Sequence, residues 1–148
     1  MKLGSLRRWK PILLGLGVIA PRIQLVPVSR TNPPVSGEVQ APPRVQEALR
    51  RACYDCHSHE TRWPRYAYVA PVSWLLEHDV QGGREFLNLS TWDAYPPKKR
   101  VMIFKGILEE VDLGSMPPWY CVSMHPSVRL SPEDLSALRR WADGGRRK

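Results

Sequence analysis

The sequence lacks any convincing run of alternating apolar and polar residues of the kind a half-buried strand needs, which excludes a βαβ framework. It also lacks a ribbon of interleaved aromatic and basic residues, so a stacking groove for nucleic acid is excluded despite the basic balance. That balance is 22 basic against 14 acidic side chains, a formal charge of +8. A sizeable part of it lies at the ends, in Lys2, Arg7, Arg8 and Lys10 and in Arg139, Arg140, Arg146, Arg147 and Lys148, where topology and solubility explain it. There is no internal repeat, and 148 residues leave little room for a second independent core. Nor is there an unbroken apolar run of the ~20 residues that span a bilayer.

What is present is a hydrophobic fraction of 43% with six Trp and five Tyr, set against 15 Pro and 10 Gly. A small core wrapped in long connections follows, and such cores are often reinforced by a disulfide, a metal or a cofactor. The chain opens with a positive leader and an apolar segment from Pro11 to Ala20, the pattern of an export signal. Apolar character resumes after Pro21 and Arg22 with Ile23, Leu25 and Val26. An uncleaved anchor from Trp9 to Val28, with Arg22 snorkelling outward, is therefore preferred to cleavage after Ala20. The expected organisation is a signal anchor or signal peptide over 1–28, a proline-rich, poorly packed linker over 29–44, a folded domain over 45–143 and a basic tail over 144–148.

Four helical segments are predicted in the domain, which makes it all-α. Val45, Leu49 and Ala52 share one face of a short helix leading into the cysteines. Val72, Leu75, Leu76 and Val80 mark a second that Gly82 and Gly83 would end. Val101, Phe104, Leu108 and Val111 mark a third, stopped by Gly114. The fourth carries Ser131 as cap, Pro132 at its first position and Asp134 where a capping-box acid belongs, with Leu135, Leu138 and Ala142 facing inward.

The chemistry concentrates in Cys53, Cys56 and His57. On a helical turn these three emerge on one face. Two thiols can add to the two vinyl groups of a haem while the adjacent imidazole reaches the iron, so C-x-x-C-H reads as a c-type haem attachment site. A thiol oxidoreductase would place C-x-x-C near strands that are absent here. A structural zinc site would recruit Cys53, Cys56, His57 or His59, and a distant Cys121, whereas zinc ligands more often come as two separated pairs.

The stretches "CYDCHSHETRWPRY", "APVSWLLEHDV", "GSMPPW", "MHPSVRLS" and "LRRWAD", in this order, resemble the bacterial haem-binding domain family of small c-type cytochrome-like proteins. The resemblance covers nearly all of residues 45–143. It implies a periplasm-facing, membrane-tethered domain with one covalently bound haem c and a helical, cytochrome c-like fold. Pro21 and Arg22, which interrupt the anchor, and the extra thiol of Cys121 depart from that pattern.

For the sixth iron position Met116 is the strongest candidate, because Gly114 allows a sharp turn and Pro117 with Pro118 stiffens the strap that presents the thioether. The resemblance to cytochrome c, in which a methionine beside a proline ligates iron, implies the same choice. His125, before Pro126, is the alternative; His59 is too close in sequence to His57, and His78 reads as solvated. Arg62, Trp63 and Tyr66 are candidates for haem-edge or propionate contacts, with ordinary packing as the other reading. A His and Met pair would leave the iron closed and raise its potential, which describes an electron carrier rather than an enzyme. Redox partners with acidic patches and a site at the inner membrane complete the expectation. The rival functions are a ligand sensor or peroxidase-like protein with a displaceable sixth ligand, and a zinc-stabilised interaction module.

Overall fold

The structure is a computed structural model, described over residues 4–145. Lys2 and residues 146–148, named above for their charge, lie outside the described residues. Among the described residues the regular structure is helical: α1 Gly4–Ile23, α2 Pro43–Ala52, α3 Tyr54–His57, α4 Val72–Phe86, α5 Pro97–Asp112, α6 Trp119–Met124 and α7 Pro132–Gly145. Three 3₁₀ turns, Arg65–Tyr68, Trp92–Ala94 and Pro126–Val128, and one isolated bridge between Gly37 and Thr91 complete it. The expected all-α class is what the chain adopts.

The backbone gathers into two compact units, one holding α1 through Arg30 with Trp63–His78, the other holding Thr31–Arg62 and the chain from Asp79 onward. Helix α4 contributes its first half to one and its second half to the other. In the first unit the segment after α1 is fastened by its polar side chains. Gln24 both donates to the Ala70 carbonyl (3.2 Å) and accepts from the Ala70 N–H (2.9 Å). Arg30 donates to the Ala67 carbonyl (2.8 Å) and lies over the Tyr68 ring. Helix α1 contains Pro11 and Pro21 and exposes Leu13, Leu14, Leu16 and Ile19. No helix among the described residues is long and apolar enough to cross a membrane. The expected span from Trp9 to Val28 is thus not met by α1, whose apolar run is bounded by Lys10 and Arg22 and broken by Pro21.

The second unit holds the main core: Val39, Val45, Leu49, Tyr54, Leu87, Leu89, Trp92, Ala137 and Leu138. Helix α2 begins at Pro43, which suits a first helical position, and buries Val45, Ala48 and Leu49. It packs against α7, whose first turn is closed as the sequence predicts. The Asp134 N–H donates to the Ser131 hydroxyl (3.2 Å) and the Ser131 N–H donates to the Asp134 carboxylate (3.0 Å), a reciprocal capping box. The same carboxylate accepts from Arg51 of α2 (2.7 Å) and pairs with Arg44 (3.2 Å), so one acid ends α7 and fastens it to the helix that carries the cysteines. Helix α5 completes the unit through Phe104, stacked edge-on against Trp141 (4.3 Å between ring centres) and tilted against Trp92 (5.1 Å).

Two expectations are corrected. The proline-rich stretch is extended but, in its second half, not poorly packed. Ser36 and Gly37 donate to the Ser90 carbonyl, Val39 donates to Leu89, and Trp92 donates to Gly37 (2.7–3.2 Å). Val39 itself is 1% exposed. Proline holds the backbone extended without consuming its neighbours' N–H groups, which leaves them free to pair along an edge. Helix α4 likewise runs through Gly82 and Gly83 to Phe86. A glycine inside a helix costs about 1 kcal/mol relative to alanine, an amount that close packing can outweigh. Gly83 has such a contact: a Cβ there would stand 2.8 Å from the Cys56 carbonyl oxygen.

Candidate functional site

Helix α2 ends at Ala52 and delivers Cys53 as the cap of the single turn α3. The Cys53 carbonyl accepts from the N–H groups of Cys56 (3.2 Å) and His57 (2.8 Å), which brings the three side chains onto one turn. Against this turn lies the second half of α4, admitted by the missing side chain of Gly83.

The position of the His57 ring decides its chemistry. Nδ1 lies 2.8 Å from the Gly83 carbonyl and 3.2 Å from that of Leu87. A carbonyl only accepts, so Nδ1 carries the proton and the lone pair of the neutral ring is on Nε2. Burial lowers the His57 pKa, outweighing the two carbonyl bonds that raise it, so the ring is neutral near pH 7. Metal-bound histidines show this same fastening, in which a backbone carbonyl orients the ring and raises its basicity. The loop beyond is fastened too. The His57 carbonyl accepts from Leu89 N–H (2.8 Å), and the His59 N–H donates to Ser90 Oγ (2.9 Å).

None of the three cysteines is in a disulfide. Burial pushes the Cys53 thiol up to about 12, and burial followed by the neighbouring Cys121, Asp79 and Asp55 pushes Cys56 up to about 12. These are protonated thiols, whereas a disulfide oxidoreductase needs a depressed, thiolate-forming cysteine. Cys121, unplaced by the sequence, lies on α6 in the neighbourhood of Cys56, and the Tyr120 hydroxyl beside it donates to Asp79 (2.9 Å). Zinc fares no better. His59 has both ring nitrogens occupied, Nδ1 by the Pro34 carbonyl (2.9 Å) and Nε2 by the Asn88 amide (2.7 Å). Among the described residues no three His, Cys, Asp or Glu side chains gather as a metal site.

Met116 follows Gly114, whose φ of +72° makes the turn the sequence predicts. Its N–H donates to the Glu110 carbonyl at the end of α5 (3.2 Å), and its side chain is 39% exposed. Pro117 and Pro118 then lead into α6, a helix the sequence reading missed because its six residues are too few to show a periodicity. Trp119 opens that helix 78% exposed, not in the interior. His125 caps α6 through its N–H bond to the Cys121 carbonyl (2.8 Å). Arg62 grips Asp55 with two side-chain bonds (3.1 and 3.0 Å). Trp63 and Tyr66 fall in the first unit, where the indole N–H groups of Trp63 and Trp74 are buried and meet no acceptor.

A cleft of about 830 Å³ lies elsewhere in the second unit, between Arg44, Trp92, Arg100, Phe104, Arg140 and Trp141, and no thiol or imidazole lines it. The chemistry of the chain is at the α3 turn instead. Sequence reasoning missed Gly83 and Leu87 as the groups that orient His57. The available signal was the glycine within a helical pattern, which often marks a close backbone approach.

Two unpaired thiols and an oriented neutral imidazole, with Nε2 available, fit a haem joined through a C-x-x-C-H turn. No curated protein and no solved structure gives a significant match to the chain. The family model described as haem-binding domain matches residues 18–144, and the chain belongs to that family.

Proposed function

We propose that this haem-binding protein is a periplasmic c-type cytochrome that passes single electrons between protein partners. The observation that carries the proposal is the His57 ring, held through Nδ1 by the Gly83 and Leu87 carbonyls so that Nε2 is the atom offered to iron. Cys53 and Cys56 supply the sulfurs for covalent attachment. When bound, the haem supplies an iron that takes up and releases one electron. Met116 is assigned as the second axial ligand, supported by the Gly114 turn and the two prolines that follow. His125 is the alternative. Arg62, Trp63 and Tyr66 remain our candidates for propionate and haem-edge contacts by their place in the chain, shortly after His57.

The positive leader and the apolar run that follows support export. The exposed Leu13, Leu14, Leu16 and Ile19 of α1 give the membrane a surface to hold. The net charge of +8 favours partners with acidic patches, met through a small, transient contact. A second reading, a gas sensor or peroxidase-like protein, draws on the exposed side chain of Met116, which a ligand can displace.

A denaturing gel stained for haem tests the central assignment: the full chain from a maturation-competent host is expected to stain, and Cys53→Ala with Cys56→Ala to remove the stain. An unstained parent of bare-chain mass overturns the proposal. Carbon monoxide added to the reduced protein separates carrier from sensor, since prompt binding at neutral pH favours the sensor.

A further inference from the structure

Arg84 lies on the second half of α4, one residue after Gly83. Its guanidinium makes four bonds, and every acceptor is neutral. Nε donates to the Ser58 carbonyl (2.8 Å) and one terminal nitrogen to the Thr31 carbonyl (2.9 Å). The other terminal nitrogen donates to Asn32 Oδ1 (2.8 Å) and Thr61 Oγ1 (3.0 Å). The acids beside Cys56 are engaged elsewhere: Asp55 by Arg62 and Asp79 by the Tyr120 hydroxyl. Among the described residues no carboxylate pairs with Arg84, although seven other arginine–carboxylate pairs are formed. An arginine stays charged in any protein setting, so this is a standing positive charge with no counter-ion.

Its place makes that charge matter. Arg84 follows Gly83, whose carbonyl orients the His57 ring, and its Nε holds the carbonyl of Ser58, the residue after His57. The guanidinium is thus tied to the residue after His57, while the backbone before Arg84 holds the His57 ring. A bare structural clip would need the fork alone, and acceptors of either charge would serve it.

We propose that Arg84 is a positioning residue that also sets the redox balance of this centre, its uncompensated charge favouring the reduced iron over the oxidised one. The inference rests on the haem reading above. The step it biases is the gain of one electron by iron(III), from an electrode or a one-electron donor protein, to give iron(II); no bond breaks and no proton moves. The oxidised site carries one more positive charge than the reduced site, so a fixed cation close by raises the energy of the oxidised form more.

The test is the midpoint potential of the purified, haem-stained full chain, measured in a spectroelectrochemical cell, for the parent and three variants. Arg84→Gln removes the charge and most of the fork. Asn32→Asp leaves Arg84 in place and sets a carboxylate where it already donates. Arg84→Lys keeps the charge and loses the fork. At the parent's midpoint, Arg84→Gln and Asn32→Asp are each expected to shift the reduced-to-oxidised ratio about fivefold toward oxidised, about 40 mV at 59 mV per tenfold. Arg84→Lys is expected to stay within about twofold of the parent.

A parent-like potential in Asn32→Asp overturns the proposal even where Arg84→Gln fails to fold. So does a shift in Arg84→Lys as large as that in Arg84→Gln, because geometry rather than charge would then be responsible. A parent that carries no covalent haem defeats the underlying haem reading, and a haem-stained parent with unmoved variants defeats the Arg84 assignment alone.

Discussion

The α3 turn and the strap around Met116 lie in the same compact unit, and they are held in opposite ways. At the turn nearly every group is committed. His57 is fixed through its ring and its carbonyl, His59 through both nitrogens, and Gly83 leaves no space for a side chain. The strap is anchored at its ends, by the Met116 N–H on Glu110 and by Tyr120 on Asp79, while the side chains of Met116, Trp119 and Met124 stay exposed. The His57 ring is therefore oriented by the polypeptide itself. The Met116 side chain is presented on a strap that leaves it open to solvent. Such a division would suit the proposed ligation, with His57 on the packed side and Met116 on the open one.

The contrast can be broken by mutation. Gly83→Ala is expected to have the largest effect, about 3 kcal/mol of lost stability, because the added methyl would meet the Cys56 backbone rather than a mobile side chain. Chemical denaturation measures it, and a variant as stable as the parent would mean that the turn is looser than its bonds suggest.

Asp134→Ala should come next, at about 2 kcal/mol, since it removes a helix cap and two arginine contacts at once. Its acid dependence follows. The first cause of the depressed Asp134 pKa is the Ser131 N–H bond, and the folded value lies below the ordinary 3.8. The clamp's contribution is therefore complete above about pH 3.8 and is lost as the pH falls through the folded value. Asp134→Asn should flatten that acid limb in a pH series of melting curves.

Tyr120→Phe, which frees one anchor of the strap from Asp79, should cost about 1 kcal/mol. Smallest of all for the fold is Met116→Ala, expected below about 0.5 kcal/mol because the side chain lies near the surface. Under the proposed ligation its effect is expected at the iron instead, as carbon monoxide binding to the reduced protein without loss of the haem stain. Were Met116→Ala to unfold the chain as readily as Gly83→Ala, the distinction between a packed turn and an open strap would fall.

Much of this was legible before any coordinates. The apolar faces of α2 and α7, the Ser131 and Asp134 box and the Gly114 turn all rest on residues within a few positions of one another. Local bonds and a 3.6-residue period are enough to specify them. Helix α6 was not legible, because six residues behind two prolines offer no repeat to count. The packing of Val39 was not legible either, since a proline-rich stretch looks alike in sequence whether it is solvated or paired with a distant edge.

The sequence by itself determined the helical class and the donor chemistry, two thiols and an imidazole on one turn, because those depend on neighbours along the chain. Which nitrogen of His57 is free, and why position 83 has to be glycine, only the tertiary structure decided. The ring and the carbonyl that orients it are 26 residues apart, and no local pattern records a bond of that reach.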